Sequence, residues 1–371
     1  MSELLIYGAN GYTGELVARR AVEVGLRPLL AGRREEAVAG LAGELGLAHR
    51  AFPLSDPGSL RAALADVDAV LHCAGPFVDT ARPMVAACLA SRTHYLDITG
   101  EMVVFEGVLA RDEEARHAGV TLLPGVGFDV VPTDCLAARL AAALPGASHL
   151  ALAFVSDGGG LSRGTTRTMI RNLPHLGAVR RDGRIVPVPA AYDSRRLSIA
   201  LPGGDVFTRW VMTVPWGDVS TAYHTTGIPN VRVYTGTPPK AIRRLRRLRW
   251  LLPLTGWGPV KRLLMARAER RFATRKGPDA ETRERGRVVV WGEARHPDGR
   301  RAEGSLVVPE GYRFTAHAAV ECARRVLAGC EPGAHTPAGL FGPGLVESIE
   351  GVEVGDIRVT EGVTEEEDAP R

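Results

Sequence analysis

Three glycines, Gly8, Gly11 and Gly14, recur every third residue in "YGANGYTG", directly after the apolar run Leu4-Leu5-Ile6. Glycine permits a sharp turn and bares backbone N–H groups, so this spacing can cradle a phosphate at the start of a helix. Asn10, Tyr12 and Thr13 share the turn. About 20 residues further on, an NAD-binding chain would carry Asp or Glu to accept from the ribose hydroxyls. Here Ala31-Gly32-Arg33-Arg34 stands in that place. Two guanidiniums without a carboxylate suit a 2′-phosphate, which Arg grips by charge-assisted hydrogen bonds. A merely solvated helix start is a poorer account, because cations are disfavoured at a helix N-terminus. The cofactor read from these residues is NADP(H).

Groups able to move protons lie further along. In an open α/β sheet a ligand sits beyond the carboxyl ends of the strands. Those ends carry His72-Cys73-Ala74-Gly75-Pro76-Phe77, Asp97-Ile98-Thr99-Gly100-Glu101 and Gly127-Phe128-Asp129. Cys73, Ala74, Gly75 and Pro76 would form a loop passing along the cofactor. Asp97, Glu101 and Asp129 could orient a substrate or supply protons; Asp97 could equally cap the next helix, and Asp129 could tie a loop. Asp56, followed by Pro57, reads both as a helix N-cap and as a neighbour of the adenine. In "PWGDVSTAYHTTGIPN", Asp218, Tyr223 and His224 fall within seven residues. Both Tyr and His can donate a proton. If this stretch is a strand, the adjacent Tyr223 and His224 face opposite ways. Arg163, Arg167 and Arg171 at i, i+4 and i+8 could present one helical face to a carboxylate or phosphate, or simply to water.

These groups need elements to hold them. Short apolar strands are predicted at 4–7, 28–31, 49–54, 69–73, 94–97 and 120–123. Helices are predicted between them, at 15–24, 35–45, 82–91 and 103–118. Such alternation implies a parallel sheet covered on both faces, and right-handed crossovers make it doubly wound. After residue 130 the pattern changes. A helix with Leu136, Leu140 and Leu144 on one face precedes β-type runs at 149–155, 185–189 and 231–236. A hairpin follows, with Asp298-Gly299 at its turn. A last helix, 315–328, stops at Gly329. The predicted fold class is α/β: an N-terminal Rossmann doubly wound parallel sheet plus a second α+β domain with a mixed or antiparallel sheet. The domains run 1–130 for NADP binding and 131–310 for substrate and dimer contacts. Residues 311–345 form a closing helical segment, and 360–371 an acidic tail.

Composition narrows the classes further. The chain has 371 residues, enough for two domains with substantial cores. Five scattered cysteines without a CxxC pair suggest free thiols in a reducing cytoplasm, with no structural zinc. No secretory start and no apolar run of spanning length is evident. The net charge of +4 hides a concentration: 240–276 holds thirteen Lys/Arg against Glu269 alone, so the rest of the chain is net negative. Local basicity argues against general nucleic-acid binding. Leu, Trp and Met interleave with these cations in stretches that read as amphipathic helices broken near Pro253 and Pro259. Peripheral membrane contact, docking of an acidic carrier protein, a dimer contact and a solvated insertion are all compatible with that pattern. A Tyr-x-x-x-Lys pair is absent, since Gly236, Trp257 and Phe272 stand four residues before the only lysines, Lys240, Lys261 and Lys276. Cys135, at a helix start, is placed like a semialdehyde-type nucleophile, although a small buried cysteine is the commoner case.

"YGANGYTGELVARR", "LLAGRREE", "VLHCAGPF", "PMVAACLASRTHYLDITGE" and "LPGVGFDVVPTDCLA" together resemble the saccharopine dehydrogenase-like family of NADP-binding oxidoreductases, which includes trans-acting enoyl reductase-like members. "GYRFTAHAAVECARRVLAG" followed by "TPAGLFG" resembles the family's closing helix, which packs back towards the dinucleotide domain. The resemblance implies hydride transfer from NADPH in a cleft between two domains. Phe77 departs from it, since Tyr is common there in the saccharopine enzymes, and this disfavours the literal saccharopine reaction. The expected activity is therefore NADPH-dependent reduction of an activated C=C or C=O on an apolar, carrier-borne or lipid-like substrate, in a homodimer. A reductase of amino-acid-derived imines and a non-catalytic NADP(H) sensor are the alternatives.

Overall fold

The structure is a computed structural model and describes residues 4–157, 162, 166, 177–271 and 277–361. Arg163, Arg167, Arg171 and the tail from 362 lie outside the described residues.

The first sheet is built from β1 (Leu4–Tyr7), β2 (Leu29–Gly32), β3 (His49–Ala51), β4 (Ala69–His72), β5 (His94–Asp97) and β6 (Thr121–Leu123). The helices α1 (Tyr12–Glu23), α2 (Glu35–Leu45), α3 (Pro57–Ala63), α4 (Phe77–Ser91), α5 (Met102–Leu109) and α6 (Asp112–Ala118) connect them. Every residue of β1, β2 and β4 is buried, as expected for parallel strands covered on both faces. The order 3-2-1-4-5-6 is that of a doubly wound dinucleotide fold. A seventh parallel strand, β15 (Gly333–Ala334), pairs with β6. Two residues are too few to leave a periodic signal, so the closing segment's share in this sheet was invisible in the sequence. The predicted helix 103–118 is two, separated at Ala110-Arg111.

The helix α7 (Val131–Ala143) leads to the second sheet, and its buried Leu136 and Leu140 belong to one apolar core shared with both sheets. The second sheet contains β7 (His149–Asp157), β8 (Ala178–Arg181), β9 (Arg184–Pro187), β10 (Ser194–Ala200), β11 (Val206–Thr213), β12 (Asn230–Gly236), β13 (Arg287–Arg295) and β14 (Arg301–Pro309). β7 and β12 are parallel and their other neighbours antiparallel, so the sheet is mixed. The expected hairpin is present: β13 and β14 pair from Arg287↔Pro309 to Arg295↔Arg301, and Gly299 adopts φ +93° at the turn. α7 sits tightly on this hairpin. A Cβ at Gly292 would lie 2.6 Å from the end of the Leu140 side chain, so glycine lets α7 sit close at that crossing. The stretch read conditionally as a strand at 218–224 is instead α8 (Asp218–Thr226), closed by left-handed Gly227. Packing on α7 overrides the β preference of its Val, Thr and Tyr.

The basic segment forms α9 (Pro239–Leu248), a 3-10 stretch over Arg249–Gly256 containing Pro253, and α10 (Gly258–Arg271). The short α11 (Ala280–Arg285) follows. α12 (Gly311–Ala328) packs on α1 of the first domain, the arrangement expected for the closing helix. α13 (Pro337–Phe341) and the edge strands β16 (Glu353–Val354) and β17 (Arg358–Thr360) complete the described chain. No helix among the described residues is long and apolar enough to cross a membrane.

Candidate active site

The glycine turn folds onto its neighbours. Gly8 N and Ala9 N donate to Ala31 O at 2.8 and 3.1 Å, and Gly11 N donates to Gly8 O at 2.9 Å. Gly8 holds φ +84°, and a Cβ there would lie 2.8 Å from the Ala74 Cβ. A Cβ on Gly14 would overlap the Gly8 carbonyl oxygen. In this tight turn Gly11 is the N-cap of α1, which has no side-chain cap. Its first N–H groups are therefore available to an anion. Asn10 Oδ1 packs over Gly32, 3.1 Å from where a Cβ would be, and so links the turn to the end of β2. Arg33 and Arg34 are exposed there, and neither has a hydrogen-bond or ion-pair partner among the described residues. Asp56 caps α3 by accepting from Gly58 N (3.1 Å) and Ser59 N (3.3 Å), with the Ser59 hydroxyl also bonded. Those bonds hold its carboxyl below the usual range, so the cap reading is realised.

Tyr12 is used differently from its turn neighbours. Its hydroxyl donates to Pro278 O at 2.5 Å and accepts from Arg283 Nη1 at 3.0 Å, and its ring meets Tyr312 edge-on at 5.0 Å. A Cβ on Gly277 would strike this ring at 2.6 Å. The second domain is thereby laid against the glycine turn, a contact without any local sequence signal.

The loop after β4 lies beside Gly8. Its Gly75-Pro76 bond is cis, Cys73 N donates to Tyr7 O at 2.8 Å, and Thr80 Oγ1 donates to Ala74 O at 2.7 Å. His72 beneath it is wholly buried among Tyr7, Phe77 and Tyr95, and both ring nitrogens lack a partner among the described residues. Burial pushes its pKa down to about 3, so this imidazole is neutral and packs as an aromatic ring. Cys135 is fully buried with its thiol pushed well up by desolvation, which removes the nucleophile reading.

The strand-end carboxylates separate into distinct roles. Asp97 is fully buried and accepts from Tyr95 OH (2.6 Å), Thr99 N (3.0 Å) and Gly125 N (2.9 Å). It fastens the loops after β5 and β6 to each other. Burial nevertheless raises its pKa to about 6. Glu101 reaches across to the start of α4, accepting from Phe77 N at 2.9 Å and Val78 N at 3.3 Å. An anion belongs there, at a helix N-terminus. Asp129 is only partly buried, lies against Gly100, and has no hydrogen-bond partner among the described residues. Desolvation, and then the charge of Glu101, raise its pKa to about 7.

Beneath this group two further carboxyls are fully buried. Asp134 accepts from Thr225 Oγ1 (2.6 Å) and Ala338 N (2.8 Å), and its pKa is raised to about 6 by burial. Asp218 is held well above the carboxylate range, by desolvation first and by Asp134 and Asp129 in addition. Both of its carboxyl oxygens lack a hydrogen-bond partner among the described residues. The Thr133 hydroxyl, on the neighbouring α7, donates to Val130 O at 3.0 Å. Asp218 was singled out in the sequence only as a neighbour of Tyr223. Its burial against α7 could not be foreseen.

Tyr223 and His224 lie on the outer side of α8. The Arg180 guanidinium stacks on the Tyr223 ring at 4.4 Å, and the Tyr223 hydroxyl faces Gly183. His224 Nε2 stands 3.7 Å from Glu106 Oε1, which also accepts from Arg180 Nη2 (2.6 Å) and Ser220 Oγ (2.5 Å). These partners join the two domains through α5 and do not belong to the strand-end loops. On an α-helix adjacent residues do not point oppositely, so the strand expectation for this pair is corrected. In their place stands an aromatic wall that sequence reasoning did not pick out. Phe128 meets Phe154 at 6.0 Å and Phe314 at 6.2 Å, and Phe154 stacks on Trp216 at 4.5 Å. Phe128 immediately precedes Asp129.

A doubly wound sheet with a glycine cradle, an uncapped helix start and two unpartnered arginines defines a dinucleotide-binding domain, here joined to a mixed-sheet partner. Residues 4–123 match the family described as the saccharopine dehydrogenase NADP binding domain. The matched domain is thus an NADP(H)-binding one, similar to that of the saccharopine dehydrogenases. Among relatives, the trans-acting enoyl reductase of Mycobacterium tuberculosis is 33% identical over 140 residues, covering 36% of this chain and 34% of that one. A second M. tuberculosis protein, bearing that name provisionally, is 33% identical over 184 residues, or 46% of this chain and 44% of the relative. The matched part thus spans less than half the length of these relatives. Apo saccharopine dehydrogenase (L-Glu forming) of Saccharomyces cerevisiae shares the fold, with a TM-score of 0.66 at 13% identity over 97% of this chain and all of that one.

Proposed function

We propose that the protein is an NADPH-dependent reductase of an activated C=C or C=O bond in an apolar substrate, with Asp129 donating the proton. The observation that carries this reading is Asp129 itself: a partly open carboxyl without a partner, beyond the strand ends, with its pKa near 7. An acid catalyst works best when its pKa lies near the working pH.

The backbone of Gly8, Gly11 and Gly14, with Asn10, Tyr12 and Thr13, would hold the pyrophosphate side of NADP(H). Arg33 and Arg34 would pair with its 2′-phosphate, and Cys73-Ala74-Gly75-Pro76 would flank it. The bound cofactor supplies hydride. The chain's own contribution is to keep a substantial fraction of Asp129 protonated at neutral pH, through burial and the Glu101 charge. Asp97 and Asp134 hold the surrounding loops and helices from beneath. Phe128, Phe154 and Trp216 give the substrate an apolar wall and exclude water, so the developing charge meets the proton donor in a low-dielectric setting. The aromatic wall and Phe77 favour an apolar enoyl or carbonyl substrate over an amino-acid imine, and the relatives' name favours C=C. A carrier-borne acyl chain fits the same chemistry.

The test is NADPH consumption with enoyl thioesters, enones, aldehydes and keto-acid/amine mixtures. Turnover of the enoyl or carbonyl group is expected. Turnover confined to keto-acid/amine mixtures would replace this reading with the imine reaction, and tight NADPH binding without any turnover would leave a sensor.

A further inference from the structure

We infer that the helical segment Pro239–Arg267 is a docking surface for an anionic lipid membrane. Nine cations and no carboxylate fall in this stretch. None of the nine has an ion-pair partner among the described residues. Lys240 with Arg244, and Arg243 with Arg247, stand one helical turn apart, and such like-charge pairs are unfavourable unless an anion shares them. Together with Leu248 these four line a shallow depression of about 310 Å³ on α9, large enough for a phosphate headgroup. α9 is fixed from another face: Ile242 is buried, and Arg246 Nε donates to Ala191 O at 3.0 Å. The cation-lined face is therefore held outward.

Charge alone would suit any polyanion; the apolar residues decide between them. Five of the twelve exposed large hydrophobics in the described chain fall between 248 and 263: Leu248, Trp250, Leu254, Trp257 and Leu263. Trp250 is 71% exposed and Trp257 66%, at either end of the 3-10 tip. Tryptophan flanked by arginine is the composition of a membrane interface, where the ring settles at headgroup depth and the cations meet lipid phosphates. A soluble acidic partner would be matched by the charges but would leave these rings without a hydrocarbon phase. The inference is independent of which bond the enzyme reduces.

The experiment uses the full chain with phosphatidylcholine vesicles, pure or containing about a third phosphatidylglycerol. Co-sedimentation only with the anionic vesicles is expected, falling with added salt, together with a blue shift of tryptophan fluorescence. R243E/R244E/R247E should lower partitioning by at least about 100-fold, since the loss of each cation near an anionic surface costs about a factor of five and each new carboxylate adds repulsion. W250A/W257A should abolish the blue shift and lower partitioning by about tenfold. All five positions are exposed, and unchanged NADPH affinity checks that both variants fold. Equal binding to the two vesicle types, absence of vesicle binding, or undiminished binding by the charge variant would overturn the proposal. So would capture of inorganic phosphate or of an acidic carrier protein by the same arginines without vesicle binding.

Discussion

Asp97 and Asp129 look alike in the sequence, each a lone acid just beyond an apolar strand, yet they are opposites in the fold. Asp97 accepts three hydrogen bonds and fastens two loops; Asp129 accepts none among the described residues and stands partly open beside Phe128. Both are pushed up by burial, to about 6 and about 7. A raised pKa by itself therefore does not identify a catalyst. The difference lies in partners and exposure: an acid saturated by donors is structural, whereas an unpartnered acid that is partly exposed can exchange its proton.

The largest effect should follow Asp129→Asn, with turnover falling by about 10²–10⁴-fold while NADPH affinity and folding persist. Because the protonated form is the donor, wild-type kcat/KM should decline above pH about 7, and this limb should vanish in the variant. A variant retaining full turnover would remove Asp129 from the mechanism. Asp97→Ala should act on the other side of the comparison. It strands the Thr99 and Gly125 amides and should cost about 3 kcal/mol in denaturant unfolding. Large loss of activity without loss of stability would reverse the roles assigned here.

Both acids bind protons more tightly folded than unfolded. Their stabilising contribution is thus complete below pH about 4 and is lost as pH rises through about 6 and 7. Asp129→Asn should flatten its share of that decline.

Arg33→Ala/Arg34→Ala should raise the KM for NADPH by about tenfold and narrow the preference over NADH, measured by paired titrations. An unchanged NADPH/NADH ratio would show that the 2′-phosphate is held elsewhere. The smallest effect is reserved for Glu101→Gln, which keeps an acceptor for the α4 amides and removes the charge. The limb assigned to Asp129 should move to lower pH by less than about one unit. A shift upward would contradict the electrostatic account of its raised pKa.

The first 125 residues were legible because the central strands are buried along their length and each helix shows one apolar face, so local pattern and tertiary role coincide. The glycine turn, the arginines after β2 and the Asp56 cap depend on neighbours a few residues away, and their identity was enough to read them. The middle was not legible in this way. β10 and β11 are partly exposed and arginine-bearing, which blurs their alternation. Tyr223 and His224 seemed chemical because their types are, but α8 turns them towards Arg180 and Glu106.

The sequence by itself determined a doubly wound NADP(H) domain, a second mixed sheet and a concentrated basic segment, since each follows from local spacing, charge and turn chemistry. Only the tertiary structure decided that Asp97 is a tie and Asp129 an unpartnered acid, and that aromatic residues 128, 154 and 216 pack on one another. It likewise decided that the basic segment turns its tryptophans and most of its cations outward. Those properties rest on which distant groups supply hydrogen bonds and exclude water, and long-range packing sets both.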